Sequence, residues 1–344
     1  MLLRLLLLLV AALVAFAVTA LIRRHARRLG TIQAPNERSS HTIPTPSGGG
    51  VGILAGGTIA TAGLIATDAW PLLVGVLAAL AVAAIGFIDD RTPLPARLRL
   101  TAQLALVALT IGLAIPVDGL AAATGLPVPG MFVAAVALVV AVYWINLFNF
   151  MDGIDGIAGS QAIFMCCAAA LLMVLRGPDA AGTAWFWMLL AVAAATAGFL
   201  VLNWPPARIF MGDAGSTYLG FMIVFLGLVT ISAGVISLAQ WSILAAAFVT
   251  DATVTLVRRL MRHERVFDAH RRHAYQHLSR RWKSHRRVTA GFIAVNLIWL
   301  LPLSWLSAVS GWTWPALALA YLPLTAVALL AGAGAPEAPL TQSA

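Results

Sequence analysis

Long apolar runs separated by short polar segments make up most of the chain. A helix that crosses a bilayer needs about 20 mostly apolar residues, and this length defines the runs that matter. About eleven such runs occur, at residues 2–22, 50–67, 70–88, 99–116, 131–150, 160–175, 183–203, 217–233, 238–257, 290–309 and 312–332. The pattern predicts an all-α, polytopic integral membrane bundle of about 11 transmembrane helices, with residues 1–344 forming a single domain.

The composition agrees with this pattern. Hydrophobic residues make up 61% of the 344 residues and charged residues 10%, and the mean hydropathy is +0.91. This leaves too little polar surface for a water-soluble globule. The net charge of +9 would suit a nucleic-acid partner, but a basic excess is normal in polytopic membrane proteins, so we expect none. Cys166 and Cys167 are adjacent in an apolar run and lack metal-ligand spacing.

The distribution of basic residues predicts the orientation of the helices. If the chain crosses the bilayer at every run, all but two of the 22 Lys and Arg residues lie on one side, the exceptions being Arg4 and Arg176. The positive-inside rule assigns that side to the cytoplasm and the N-terminus to the outside. The basic cluster near the first run follows it, at residues 23–28, which disfavours a cleaved signal peptide.

The first predicted cytoplasmic connection combines proline and glycine with polar residues. It reads PNERSSH at 35–41, and Gly48, Gly49 and Gly50 open the next run. Free amide groups of glycines at a helix start can hold an anion such as phosphate. A plain turn accounts for the same residues equally well, so both interpretations stay open.

Asp89 and Asp90 end the third run, at the predicted cytoplasmic edge of the membrane. Two adjacent carboxylates repel each other and favour a cation, and Mg²⁺ is the natural candidate because it prefers hard oxygen ligands. The alternative is a solvated helix end paired to Arg91, Arg97 or Arg99.

Polar residues also occur where the fifth run ends and in the seventh connection. Asn146, Asn149 and Asp152 are spaced by three and would share one face of a helix. Such a stripe is costly at membrane depth unless it faces a ligand or a wet cavity. Asp213 stands between glycines just before the eighth run, where an N-cap formed by Asp213 or Ser216 is the alternative to a ligand site.

The ninth connection, residues 258–289, is a predicted cytoplasmic loop rich in histidine and arginine. His270, His273 and His277 would share a helical face, but without nearby cysteines this spacing is a weak zinc signal. A polybasic strip on anionic lipid is the alternative for the residues that follow, Arg280, Arg281, Lys283, Arg286 and Arg287.

The predicted topology brings all these polar segments to one face of the membrane. Carboxylates that bind Mg²⁺, together with Arg and His that neutralise phosphate, are the components of a phosphoryl-transfer site. A site at the membrane edge suits a lipid phosphate as one substrate. A transporter is disfavoured, because only Asp251 lies within a predicted span, and a polybasic scaffold does not explain the acidic clusters.

Five motifs in a fixed order then carry a resemblance to a known family. They are PNERSSH…PSGGG, GFIDDR, NLFNFMDGIDG, FMGDAGS and HRRHAYQHL. Over about residues 1–332 the chain resembles the polyprenyl-phosphate N-acetylhexosamine-1-phosphate transferases, which include the enzymes that initiate O-antigen synthesis and the peptidoglycan translocase. The last motif resembles the O-antigen-initiating subgroup and differs from the triple histidine of the translocase, a phospho-N-acetylmuramoyl-pentapeptide transferase, whose activity is the alternative.

The resemblance implies a reaction and its setting. A sugar 1-phosphate would pass from a UDP-sugar, of the N-acetyl-deoxyhexosamine type in this subgroup, to undecaprenyl phosphate, and UMP would be released. Mg²⁺, or Mn²⁺, would be the cofactor. The active site would lie on the cytoplasmic face of the bacterial inner membrane, and the family also allows a homodimer.

The resemblance also implies site residues. Asp89 and Asp90 match the catalytic aspartates, one of which deprotonates the lipid phosphate or attacks the diphosphate directly. Asn149 and Asp213 match metal-binding positions. The residues that match the uridine pocket are Asp155, Asn203 and Phe210, the last by stacking on uracil. Those matched to phosphate or sugar contacts are Arg99, Asp152, His270, Arg271 and His273. The chain departs from the family pattern at Gln33, where Asp is common, and at Ser47, where a basic residue is common.

Overall fold

The computed structural model describes residues 1–34, 43–64, 70–264 and 270–336, most of which are helical. Two short strands, β1 Ile32–Gln33 and β2 Thr45–Pro46, pair antiparallel. The α-helices are α1 Leu2–Leu29, α2 Gly50–Leu64, α3 Trp70–Arg91, α4 Ala96–Ala114, α5 Val117–Thr124, α6 Gly130–Phe150, α7 Ile157–Arg176, α8 Ala184–Asn203, α9 Asp213–Ser232, α10 Leu238–Met261, α11 Ala274–Trp282, α12 His285–Ala294, α13 Leu301–Leu306 and α14 Thr313–Leu330.

Within the described ranges, ten helices are long and apolar enough to cross a membrane. The prediction of an all-α, polytopic membrane bundle is therefore confirmed. The second predicted run, 50–67, forms the 15-residue α2, which is shorter than a full span. The last predicted residues of that run, 65–67, lie outside the described residues.

The tenth predicted run forms a helix whose winding changes at its centre. α12, a π-helical segment Val295–Leu300 and α13 continue into one another as the span His285–Leu306. Pro302, near the start of α13, has no amide hydrogen for the helix ladder, and its ring would clash with the preceding turn of a regular helix. A wider π turn, closed by the amide of Leu301 on the carbonyl of Asn296, directly precedes it.

The break predicted between the eighth and ninth runs is a tight turn between α9 and α10. Gly234 lies in it with φ of +66°, a conformation that favours glycine. Ser237 and Gln240 then cap α10 reciprocally. The amide of Gln240 donates to Oγ of Ser237 over 3.1 Å, and the amide of Ser237 donates to Oε1 of Gln240 over 2.9 Å.

α9 is the most buried of the spanning helices that the structure describes. Glycines allow its first turn to lie against two other helices. A Cβ at Gly86 of α3 would come 2.6 Å from the carbonyl oxygen of Asp213, and a Cβ at Gly50 of α2 would come 2.3 Å from Cα of Gly215. Small residues permit such close backbone approach in membrane bundles. The starts of α2 and α9 and the end of α3 are thereby held together at one end of the bundle.

Candidate active site at the start of α9

Asp90 closes the N-terminus of α9 from the neighbouring helix α3. Its Oδ1 accepts the amide hydrogen of Asp213 over 2.9 Å, and its Oδ2 accepts that of Ala214 over 3.2 Å. The preceding Gly212 has φ of +79°, and a Cβ there would lie 2.8 Å from Oδ2 of Asp90. The side chain that caps α9 therefore comes from Asp90, whereas the sequence offered Asp213 or Ser216 for this role.

Asp89 has different partners from its neighbour. It forms an ion pair with Nη1 of Arg99, and its Oδ1 accepts the amide hydrogen of Leu94 over 2.6 Å. The pairing with Arg99 is one that the alternative interpretation from the sequence named, but the side chain is only 8% exposed, so this helix end is not solvated. Nη1 of Arg99 also lies 3.8 Å from Oδ2 of Asp213. One guanidinium thus stands between two of the predicted site carboxylates.

The predicted metal-binding residues Asn149 and Asp213 are in direct contact. Nδ2 of Asn149 donates to Oδ1 of Asp213 over 3.0 Å and to Oγ of Ser216 over 2.8 Å. Asn146, one turn earlier, donates instead to Oε1 of Gln103 on α4 over 2.6 Å. The end of α6 is therefore fixed against both α9 and α4.

Asp152 completes the polar stripe just beyond the end of α6. Burial raises the pKa of its carboxyl well above the ordinary value, and the negative charges of Asp213, Asp90 and Asp155 raise it further. A cation or a bound proton would relieve this concentration of negative charge. The sequence prediction that these aspartates converge is supported by this electrostatic coupling.

The three residues predicted to bind uridine lie around two contacting loops. Asn203 accepts the amide hydrogen of Gly156 over 3.0 Å and donates to the carbonyl of Ile209 over 2.9 Å. Oδ2 of Asp155 accepts the amide hydrogen of Ala207 over 3.0 Å. Asn203 is buried and joins the loop after α6 to the loop after α8, on which the half-buried Phe210 stands.

The glycines of the first connection are held by this second loop. The amide of Gly49 donates to the carbonyl of Phe210, and that of Gly50 donates to the carbonyl of Met211, both over 2.9 Å. Because these two amides already have partners, the structure favours the turn interpretation over phosphate binding at this position. The PNERSSH motif, at 35–41, lies outside the described residues.

Asp251 of α10 organises the histidine-rich loop. Its buried carboxylate accepts the amide hydrogens of Ala274 and Tyr275 over 2.8 and 2.9 Å, at the first turn of α11. Nδ1 of His273 lies 3.3 Å from its Oδ1. The hydroxyl of Tyr275 donates to the carbonyl of Phe150 over 2.9 Å, which ties α11 to the end of α6. The sequence singled out Asp251 but not this role, since the partners are more than twenty residues away.

The spacing of His270 and His273 predicted that they share a helical face, and this prediction is wrong. α11 begins only at Ala274, after both residues. Their rings nevertheless stack, with centroids 4.9 Å apart. Burial and, after it, the positive charges of nearby basic groups together lower the pKa of His270 to about 3. Within the part of the chain that the structure describes, Nδ1 of His270 and Nε2 of His273 are buried without a hydrogen-bond partner.

Comparisons with known proteins decide the family. A model described as glycosyl transferase family 4 matches residues 72–231. The decaprenyl-phosphate N-acetylglucosaminephosphotransferase of Mycobacterium tuberculosis is 30% identical over 316 residues, covering 81% of this chain and 76% of the relative. The chain belongs to this family. A probable undecaprenyl-phosphate N-acetylglucosaminyl 1-phosphate transferase of Bacillus subtilis is 25% identical, covering 88% and 85%. A phospho-N-acetylmuramoyl-pentapeptide-transferase of Moorella thermoacetica is 33% identical, covering 54% and 61%.

The match to the family model contains the core of the site. It spans the GFIDDR, NLFNFMDGIDG and FMGDAGS motifs, whose residues the structure brings together around the start of α9. The resemblance of the motifs to this family is therefore confirmed, and the protein is a multi-span membrane enzyme of the family. Its place in the O-antigen-initiating subgroup stays a prediction. The individual residue roles remain predictions.

An apolar groove of about 420 Å³ approaches this site between α4, α6 and α10. Most of its lining is apolar, and Arg99 stands in its wall. Because Arg99 is bonded to Asp89, the groove leads to the aspartate cluster. Its lining residues are Ala96, Arg99, Leu100, Val142, Tyr143, Asn146, Leu147, Phe150, Thr253, Leu256, Val257 and Leu260.

A second cavity, of about 660 Å³, is polar and basic. Asp155 lies in its wall, where His285 approaches the carboxylate with Nδ1 at 3.1 Å from Oδ1. The sequence did not single out His285 beyond its predicted cytoplasmic location. The cavity is lined by Asp155, Pro205, Pro206, Arg271, Ser279, Arg280, Lys283, Ser284, His285 and Arg286.

Proposed function

We propose that the protein transfers an N-acetylhexosamine or N-acetyl-deoxyhexosamine 1-phosphate from a UDP-sugar to undecaprenyl phosphate and releases UMP. The observation that carries this proposal is the apolar groove that leads to Arg99, Asp89 and Asp213. A polyprenyl chain needs an apolar channel, and its phosphate needs a cation where the channel ends. The names of the relatives supply the same acceptor class.

In the proposed reaction an oxygen of the lipid phosphate attacks the β-phosphorus of the UDP-sugar. The bond between that phosphorus and the bridging oxygen breaks, and the bridging oxygen leaves with UMP. Asp89, at the groove end, would accept any proton on the lipid phosphate. Asp90 accepts two amide hydrogens at the start of α9, so it would also fix the position of Asp213. Arg99 would neutralise phosphate charge.

Asp213 and Asn149 would hold Mg²⁺ or Mn²⁺. The two side chains are in contact through Nδ2 of Asn149. The carboxylate of Asp213 and the amide oxygen of Asn149 are the hard donors that Mg²⁺ accepts. The described residues include no group of three His, Cys, Asp or Glu side chains that could hold a metal by themselves. This fits Mg²⁺, which takes one or two carboxylates and completes its shell with water and substrate phosphates. When bound, the ion would neutralise charge on the diphosphate.

The nucleotide and the sugar phosphate would lie between the two contacting loops and the histidine-rich loop. Phe210 would stack on uracil, and Asp155 and Asn203 would shape its pocket. Arg271, His270 and His273 would contact phosphate or sugar, together with Asp152 on the facing loop. The buried, unpartnered nitrogens of the two histidines support this assignment. The predicted orientation places the site on the cytoplasmic face of the inner membrane.

The HRRHAYQHL motif favours the O-antigen-initiating subgroup over the pentapeptide transferases, which lack it. The test incubates purified protein and undecaprenyl phosphate with UDP-N-acetylglucosamine, a UDP-N-acetyl-deoxyhexosamine and UDP-N-acetylmuramoyl-pentapeptide, with product detection by mass spectrometry. We expect a lipid-linked diphosphosugar from one of the first two. Product from the pentapeptide substrate alone would establish the alternative, and no product from folded protein would refute the proposal.

A further inference from the structure

A short segment after α14 is bonded to the histidine-rich loop and to the end of α10. We name this segment, residues 331–336, the clasp. Nη1 of Arg258 donates to the carbonyl of Ala333 over 2.6 Å, and Nη1 of Arg262 donates to the carbonyl of Gly334. The amide of Gly334 in turn donates to the carbonyl of Arg272 over 2.6 Å. The clasp therefore contacts both the end of α10, which precedes the loop, and the loop itself at Arg272.

Glu264 holds the same arginine from the other direction. Nη1 of Arg272 lies 2.6 Å from both carboxylate oxygens of Glu264, and Nε of Arg259 lies 3.2 Å from Oε2. The hydrogen bond from Arg272 holds the pKa of Glu264 below its usual range, so this carboxylate stays charged at neutral pH. Arg272 is thus fixed through its side chain by Glu264 and through its carbonyl by the clasp.

Gly334 makes this contact sterically feasible. Its φ is +70°, and a Cβ at this position would lie 2.9 Å from Cβ of Arg258 and 2.9 Å from the carbonyl oxygen of Thr255. A side chain there would push the clasp away from α10. The close approach of the clasp therefore depends on glycine at this position.

We infer that the clasp is a positioning element for the phosphate-binding residues of the loop. Arg272 stands between Arg271 and His273, so fixing its backbone fixes the direction of both neighbours. The clasp itself contributes no group to the substrate. The inference rests on the proposed function of residues 270–273, and it adds Gly334, Glu264 and Arg262 as residues that act through Arg272.

A released loop would bind substrate only in the fraction of molecules that have it correctly placed. If that fraction falls to about a tenth, the apparent affinity falls about tenfold. Once substrate has ordered the loop, the chemical step proceeds as before. We therefore expect the KM for the UDP-sugar to rise about tenfold, with kcat changed less than about threefold.

The test compares Gly334→Ala with Gly311→Ala. Gly311 has φ of +79°, so both substitutions strain the backbone similarly, but a Cβ at Gly311 would meet nothing within 4 Å. We expect Gly334→Ala to raise KM and to speed amide hydrogen exchange in residues 270–278, and Gly311→Ala to leave both unchanged. Equal effects of the two variants would overturn the inference. So would a Gly334→Ala protein in which both the KM and the rate of hydrogen exchange are unchanged.

Arg262→Met provides a second variant in case Gly334→Ala does not fold. It removes the bond to the carbonyl of Gly334 without adding a side chain to the contact. We expect the same rise in KM and the same faster exchange. Hydrogen exchange is independent of turnover, so wild-type protein without transferase activity would refute the proposed function while the exchange comparison still decides the role of the clasp.

Discussion

The amide of Asp213 donates its hydrogen to Oδ1 of Asp90 over 2.9 Å, which joins the end of α3 to the start of α9 across 123 positions of sequence. This bond ties two of the predicted site residues to one another. It also separates the adjacent pair Asp89 and Asp90 into two roles, since only Asp89 pairs with Arg99. The two aspartates should therefore respond differently to substitution.

We expect Asp90→Ala to destabilise the protein, because two amides at the start of α9 lose their acceptor. Loss of a capping side chain costs about 1–2 kcal/mol, which corresponds to a decrease of a few degrees in the apparent Tm. Thermal unfolding in detergent measures this. Asp118→Ala, which removes an exposed aspartate from the first turn of α5, is the control and should leave Tm unchanged. An Asp90→Ala protein as stable as wild type would contradict the capping role.

Asp89→Asn should lower kcat with little change in affinity for the UDP-sugar. The substitution removes a group proposed to act in the chemical step and weakens the ion pair with Arg99. Steady-state kinetics and calorimetric binding of the UDP-sugar together separate the two effects. Loss of nucleotide binding with unchanged kcat at saturation would contradict this role and would assign Asp89 to the nucleotide-binding half of the site.

Phe210→Ala should chiefly weaken nucleotide binding. Stacking of an aromatic ring on a base is worth about 1–3 kcal/mol, so the Kd for UDP should rise by about 5- to 150-fold. The backbone groups of Phe210, which bond Pro46 and Gly49, are kept in the variant, so the loss reports the ring alone. Phe132→Ala, on an exposed position of α6, is the control. Calorimetry that shows equal UDP binding by both variants would refute the stacking role.

Metal removal should abolish activity. We expect a chelator to stop turnover and Mg²⁺ or Mn²⁺ to restore it, because Asp213 and Asn149 would hold an ion against substrate phosphates. The Asp213→Asn variant should remain folded, because the hydrogen bond from its backbone amide to Asp90 is kept. Its activity should nevertheless not recover when metal is added. Full turnover in excess chelator would show that the reaction proceeds without the ion.

The packing of His270 should make the histidine-rich loop sensitive to acid. The pKa of His270 is lowered to about 3, whereas an opened loop would have the ordinary value near 6.5. As the pH falls below about 6.5, the opened loop takes up a proton that the packed ring does not, so the packed loop loses stability. Hydrogen exchange of residues 270–278 should therefore be faster at pH 5.5 than at pH 7.5, after correction for intrinsic rates. The difference should shrink in His270→Gln, and an unchanged difference would contradict this cause.

The sequence predicted the helices well because bilayer thickness sets their length. The run at 160–175 became α7, and the break near 234–237 became a capped turn. The partners of Asp90 and Asp251 could not be predicted in this way, because each carboxylate caps a helix that lies elsewhere in the chain. Which residue caps which helix depends on how the helices pack, and a motif does not encode that.

The same limit explains what the sequence predicted wrongly or left open in the loops. His270 and His273 had helical spacing, but Asp251 starts α11 after them, so they meet by stacking instead. The amides of Gly49 and Gly50 looked open to phosphate until the loop after α8 supplied carbonyl partners. The clasp at 331–336 carried no sequence signal, since backbone carbonyls make most of its contacts.

The transfer of the β-phosphate tests the central claim most directly. Purified protein in lipid nanodiscs would be given undecaprenyl phosphate and a UDP-sugar labelled with ³²P at the β-phosphate, with Asp213→Asn as the inactive control. If the protein transfers a sugar 1-phosphate, the label moves to the lipid and unlabelled UMP appears in equal amount. Label that remains in the aqueous phase as UDP, while sugar reaches the lipid, would show transfer of the sugar alone and would contradict the account.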